Sequence, residues 1–189
     1  MRVVVGLGNP GSRYALTRHN AGFLFADSLA QELGLQFLSE NKLFLYAQGS
    51  ASGTPFCIIK PQTYMNLSGE ALLYFLERYQ LEPADFLICY DDIALPLGTV
   101  KLKLNGGDGG HNGLTSIIEH LQTTNFPRLR LGVGNNFAPG GMVEYVLGKF
   151  SENELFDLKL AFTNNGDLAK AFIDSGVKGL ADANSRKST

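Results

Sequence analysis

Short apolar runs at 3–5, 56–59 and 86–90 alternate along the chain with stretches of helical periodicity, and no other feature limits the fold as strongly. Asn20 is placed as the N-cap of a helix whose Phe25, Leu29 and Leu33 share one face, with Gly34 positioned to end it. Residues 44–47 and 56–59 flank Ser50-Ala51-Ser52-Gly53 and predict a hairpin. Ser68 caps a second helix, in which Leu72, Phe75, Leu76 and Tyr79 recur at i, i+3, i+4 and i+7. Asn112 caps a third, with Leu114, Ile117, Ile118 and Leu121 inward and His120 outward. Alternation of period two predicts strands over 100–104 and 128–133. Ser151-x-x-Glu154 is a capping box opening a helix through Leu155, Leu158 and Phe162, and a last helix over 167–175 ends at Gly176. This order implies a single α/β domain with a mixed, mostly parallel sheet sandwiched by helices.

At 189 residues, with 44% apolar and 18% charged side chains, the chain can bury one good core. One domain is expected over 1–183, followed by a frayed tail at 184–189. No apolar run approaches a membrane span, and the start reads as a strand rather than a signal peptide. Cys57 and Cys89 sit within apolar runs and are expected to be buried thiols, which points to the cytoplasm. A net charge of −2 excludes broad coating of a polyanion but leaves room for a small basic patch.

Three clusters pair His or Asn with glycine: Gly109-Gly110-His111-Asn112-Gly113-Leu114, Arg18-His19-Asn20-Ala21-Gly22 and Met65-Asn66-Leu67-Ser68-Gly69. Ligands in open α/β sheets gather beyond the carboxyl ends of strands. Asn9, Asn66, Asp91 and the His111-Asn112 pair each follow a predicted strand, so one shared site is the expectation. His19 is the candidate general base and Asp91 its candidate partner, with Asp92 left solvated or structural. The alternative for His19 is a histidine that satisfies a helix start; for Asn66 and Asn112 it is a turn residue and a cap. Amides position and polarise rather than transfer protons. Gly6-Leu7-Gly8-Asn9-Pro10-Gly11 matches a dinucleotide fingerprint by letters alone, since Pro10 and Gly11 break the chain where that site needs a helix to begin. Ser12 and Ser68 lack a nucleophile elbow, which favours attack by water, and a metal site from His19, His111 and Asp91 lacks the usual ligand spacing. Lys101 with Lys103, and Arg128 with Arg130, alternate along two strands; if these are neighbours, Lys103 and Arg130 can clamp a phosphate, although Asp108 nearby opposes an anion.

Five ordered motifs carry a family resemblance: Gly6-Leu7-Gly8-Asn9-Pro10-Gly11; Tyr14 with Thr17-Arg18-His19-Asn20-Ala21-Gly22; Pro61-x-Thr63-Tyr64-Met65-Asn66-Leu67-Ser68-Gly69; Asp91 followed by Leu95-Pro96-x-Gly98; and the segment at 109–114. From residue 3 to about 149 the chain resembles the bacterial peptidyl-tRNA hydrolases. The resemblance implies a monomeric cytoplasmic enzyme, without cofactor or metal, that cleaves the ester joining a peptide to the acceptor end of tRNA. It makes His19 the base and Asp91 its partner, assigns Asn9, Tyr14, Tyr64, Asn66 and Asn112 to substrate binding, and puts the tRNA 5′-phosphate on Lys103 and Arg130. The Gly-rich stretch 135–141 followed by 142–150 resembles a mobile lid over the peptide channel. Two positions depart from the family pattern: Ala94 stands where many members carry a second acid, and Asp108 where His or a small residue is common. The competing class is a non-catalytic RNA-binding module on the same scaffold.

Overall fold

The apolar runs become central strands because successive residues point to opposite faces and both faces are covered by helices. The computed structural model describes residues 1–39 and 41–187. Its strands are β1 (Arg2–Gly6), β2 (Leu38–Ser39), β3 (Phe44–Ala51), β4 (Thr54–Pro61), β5 (Phe86–Asp92), β6 (Val100–Lys103) and β7 (Arg128–Gly132). Its helices are α1 (Ala21–Glu32), α2 (Ser68–Tyr79), α3 (Asn112–Leu121), α4 (Met142–Leu147) and α5 (Glu152–Lys187). They form a single-domain α/β fold around one seven-stranded sheet of order β2-β3-β4-β1-β5-β7-β6. The four central strands β4, β1, β5 and β7 are parallel, and β3 and β6 pair antiparallel to them at either side. On one face Val4, Leu87 and Cys89 pack with Phe25 and Leu29 of α1 and Phe162 and Phe172 of α5. On the other, Val3, Val5 and Ile88 pack with Leu72 and Phe75 of α2 and Leu114 and Ile117 of α3.

The predicted hairpin is β3–β4, turned by Ser52 and Gly53, both with positive φ. The capping box at Ser151 forms, with Ser151 N donating to Glu154 Oε2 (2.7 Å) and Glu154 N donating to Ser151 Oγ (3.3 Å). Several local expectations change. Asn20 does stand at the N-cap of α1, yet its side chain makes no cap bond; its Nδ2 donates to Asn9 O (3.0 Å) and its Oδ1 accepts from Asn9 N (2.9 Å), tying the loop after β1 to the start of α1. Ser68 is not the cap of α2, and its hydroxyl donates to Met65 O at the start of a preceding 3₁₀ turn. His120 does not face outward: it packs where α2 meets α3, so close to Gly69 that a Cβ there would lie 2.5 Å from its Nδ1. Gly176 (φ +64°) breaks α5 as expected, yet the helix resumes to Lys187. Residues 184–187 of the expected frayed tail are therefore helical, while 188 and 189 lie outside the described residues. Among the described residues no helix is long and apolar enough to cross a membrane.

Two features place the loops that matter. Because β6 runs antiparallel to β7, its carboxyl end at Lys103 lies beside Arg128, the start of β7, and the chain must return along the sheet before α3. Arg128 is fully buried and holds that return, its guanidinium donating to Gly107 O (2.7 Å), to Gly106 O and to Thr124 O (3.2 Å). The second feature is the seat of α1 on the sheet. A Cβ on Gly22 would lie 2.3 Å from Cys89 O and 2.4 Å from Leu7 N, so only glycine lets α1 approach. Gly22→Ala is expected to cost about 1–3 kcal/mol, the usual range for overpacking a dense core, read as a lower urea midpoint at unchanged slope. An unchanged midpoint would show that the close approach is not needed.

Candidate active site

The carboxyl ends of β1, β4 and β5 open into a cleft of about 580 Å³. Its floor is Asp91, at the end of central strand β5 and only 4% exposed. A buried carboxylate must find donors, and Asp91 finds two imidazoles. His19 reaches it from the 3₁₀ turn Arg18–Asn20, with Nδ1 at 2.9 and 3.0 Å from Oδ1 and Oδ2. His111 reaches it from the start of α3, with Nε2 at 2.9 Å from Oδ1. Hydrogen bonding sets both tautomers. The backbone N–H of Leu114 donates to His111 Nδ1 (3.3 Å), so His111 carries its proton on Nε2 and gives it to Asp91. The Nδ1 proton of His19 likewise goes to Asp91, which leaves Nε2 unpaired among the described residues on a ring that lines the cleft. Burial opposes ionisation of Asp91, but the attraction of His111 and His19 outweighs it and holds the carboxyl well below the usual range. For His19, burial acts against the charged ring, and the charge and hydrogen bond of Asp91 overcome it, raising its pKa above the ordinary value.

The three asparagines lie on the same cleft in different states. Asn9 is buried and fixed: its Oδ1 accepts the backbone N–H of Met65 (2.8 Å), which can only donate, so the NH2 is the group left for the cleft. Asn66 and Asn112 are exposed, and neither side chain has a hydrogen-bond partner among the described residues. Tyr64 is exposed on the rim. Tyr14 is not brought in; it sits in the loop before α1 outside the cleft lining, with the Arg13 guanidinium 5.7 Å from its ring centre.

Lys103 and Arg130 both line the cleft. Register sets Lys101 opposite Arg130 and Lys103 opposite Arg128, so Lys103 and Arg130 are diagonal neighbours. Arg130 is already paired, its Nε donating to Asp92 Oδ2 (2.7 Å), which gives Asp92 the structural role expected of it. Asp108 is engaged as well, accepting from Gly110 N (2.8 Å) and Thr115 Oγ1 (3.1 Å), so it braces the loop before α3.

Sequence reasoning undervalued His111. The cap of α3 is His111, not Asn112, and capping aims its other nitrogen at Asp91. Asparagine is the commoner cap, which is why position 112 drew the assignment. Sequence reasoning also left the helical form of α4 unread, whose Met142, Val143, Val146 and Leu147 form an apolar wall of the cleft. No Ser, Thr or Cys lines the cleft among the described residues. Ser68 is buried and donating elsewhere, and burial pushes the Cys57 thiol up to about 12 and the Cys89 thiol higher. Ligand atoms of His19, Asp91 and His111 do lie within 4.8 Å of one another. The Leu114 N–H on His111 Nδ1, however, keeps that ring's proton on Nε2, and in this tautomer the nitrogen facing Asp91 does not ligate a metal.

Replacing Asp91 with Asn removes the charge that raises the His19 pKa and leaves at most a neutral hydrogen-bond acceptor, while burial still lowers it. His19 is therefore expected to titrate above about 6.5 in the native protein and below that in Asp91→Asn, followed by NMR of its ring protons. Coincident titration curves would break the assigned pairing.

Sequence comparison agrees with the geometry. The family model described as Peptidyl-tRNA hydrolase matches residues 3–189. A peptidyl-tRNA hydrolase of Exiguobacterium sibiricum is 42% identical over 175 residues, 93% of this chain and 95% of its own. That of Bacillus subtilis is 41% identical over 180 residues, 92% of this chain and 95% of its own. The crystal structure of peptidyl-tRNA hydrolase from Acinetobacter baumannii superposes with a TM-score of 0.85 at 38% identity, covering 92% of this chain and 88% of that one. The chain thus belongs to the peptidyl-tRNA hydrolase family.

Proposed function

We propose that this protein hydrolyses the ester between a peptide, or N-acylated amino acid, and the 3′ ribose of tRNA, using water activated by His19. The observation that carries this reading is the His19–Asp91 pair, with His19 Nε2 unpaired on a cleft lined by no Ser, Thr or Cys among the described residues. Asp91 holds the tautomer and stabilises the imidazolium that forms. Water gives a proton to His19 Nε2 as its oxygen bonds to the ester carbonyl carbon. The carbonyl oxygen gains negative charge, and the preset Asn9 NH2 is the donor best placed to meet it. Collapse of the tetrahedral intermediate breaks the bond to the ribose oxygen, which takes the proton back from His19. The products are tRNA with its 3′ hydroxyl restored and a peptide carboxylic acid, which ionises by losing its remaining proton to solvent. Asn66, Asn112 and Tyr64 contribute to substrate binding, and the diagonal pair Lys103 and Arg130 holds the 5′-phosphate. Arg130 is partly neutralised by Asp92, so Lys103 carries the larger share.

His19→Ala is expected to lower turnover of N-acylated aminoacyl-tRNA by at least ~10²-fold, the lower end of general-base assistance, with its melting temperature retained. Near-native turnover would remove His19 from the mechanism, and no turnover by the unaltered protein would leave the RNA-binding alternative. Only neutral His19 accepts a proton, so kcat/KM should fall as pH drops through its raised pKa, and a chelator should leave the rate unchanged. Removing the tRNA 5′-phosphate should raise KM more for the native protein than for Lys103→Ala; equal sensitivity in both would dismiss the phosphate site.

A further inference from the structure

α4 cannot hold its own place. It is six residues long, far below the length at which a helix is stable alone, and none of its residues is buried. It is bounded by Gly140 and Gly141 on one side and Gly148 on the other. Its apolar wall over the cleft must therefore be positioned by contacts at its ends, and these converge on one residue, Arg18.

Arg18 is the immediate neighbour of His19, and its backbone N donates to Gly148 O (3.0 Å). Its Nη1 donates to Lys149 O (3.0 Å), and its Nη2 to both carboxylate oxygens of Glu154 (2.8 and 3.1 Å), the capping residue of α5. The guanidinium carbon lies 4.3 Å from the ring centre of Tyr145 in α4 and 5.2 Å from that of Phe150. Tyr145 in turn donates its hydroxyl to Val133 O (2.8 Å), just beyond β7. An isolated bridge between Thr17 and Lys149 completes the seam. A planar guanidinium is required here, since it must face an aromatic ring and fork onto a carboxylate at once; an ammonium cannot do both.

We propose that Arg18 is a positioning residue that latches α4 onto the turn carrying His19, keeping the apolar wall and the base in register across the cleft. Resting on the activity proposed above and on the resemblance that puts 142–150 over the peptide channel, the latch acts on the acyl side of the substrate: an apolar wall suits a peptide chain, whereas the cations lie on β6 and β7. Loss of the latch frees the wall while leaving the His19–Asp91 pair intact.

Amide hydrogen exchange reads the latch without any turnover. In Arg18→Met the amides of 142–148 are expected to exchange at least about tenfold faster, a local opening eased by ~1.4 kcal/mol, while those of β1 and β5 are unchanged. Unchanged exchange at 142–148 overturns the latch. In kinetics, Arg18→Met should raise KM more for a tRNA bearing a peptide of several residues than for one bearing a single acetylated amino acid, and the acid limb of the pH profile should stay in place. Equal loss on the two substrates, or a moved acid limb, overturns the assignment of the wall to the peptide. Tyr145→Leu breaks the same contact from the α4 side, so the double variant should be no worse than the weaker single one; multiplicative losses overturn the shared action. Arg18→Lys should resemble Arg18→Met rather than the native protein. If Arg18→Met fails to fold, Tyr145→Leu carries the exchange and substrate arms. Absence of any turnover by the native protein refutes the proposed activity, and the exchange result then stands separately.

Discussion

The carboxylate of Asp91 is the interaction on which the rest of the site depends. It is buried at the end of a central strand, where an unpaired charge is expensive, and it is satisfied by imidazoles arriving from two different connections. Each histidine is fixed by this sharing. His19 is left with a single open nitrogen, and His111 becomes a brace whose second nitrogen caps α3. Asp91 binds one nitrogen of each ring, and the Leu114 N–H on His111 Nδ1 leaves His19 Nε2 as the open imidazole nitrogen of the pair.

Such an arrangement demands that its approaching segments be rigid. Gly22 lets α1 sit directly on the carbonyl of Cys89, and the Asn20 amide grips both backbone groups of Asn9, so the loop after β1 and the turn with His19 form one unit. On the other side, buried Arg128 gathers the carbonyls of the Gly106–Gly107 segment and carries the chain back from β6 to His111. Asn9, Asn20 and Arg128 are bound to backbone, and His19 and His111 to the Asp91 carboxylate, which orients the cleft before any substrate arrives. Such preorganisation is how a site polarises a carbonyl without reorganising during the reaction.

Much of the fold was legible in the sequence because its signals are local. The two-residue and 3.6-residue periods revealed the strands and amphipathic helices, Gly34 the end of α1, and Ser151 with Glu154 the opening of α5. Local rules failed where a side chain bound another partner or a neighbour took its place. Asn20, Ser68 and Asn112 all have the chemistry of caps, yet Asn20 binds the β1 loop, Ser68 turns back to Met65, and His111 takes the cap of α3. Tyr14, carried by a motif, stays outside the cleft for want of a contact drawing it in. Arg128 reads as a solvent-facing strand cation until the loop that covers it is seen.

The sequence by itself determined the α/β class, the strand ends at which polar residues collect, and His19 and Asp91 as the candidate base and its candidate partner, because residue type and period are properties of the chain alone. Tertiary structure decided which nitrogen of each histidine is free, that Asn9 rather than its fellows is preset, that Lys103 and Arg130 meet on a diagonal, and that Arg18 ties α4 to the catalytic turn. Those outcomes depend on which donors and acceptors meet once segments distant along the chain are packed together. Hydrogen bonds choose their partners by distance and angle in space, and a one-dimensional pattern carries neither.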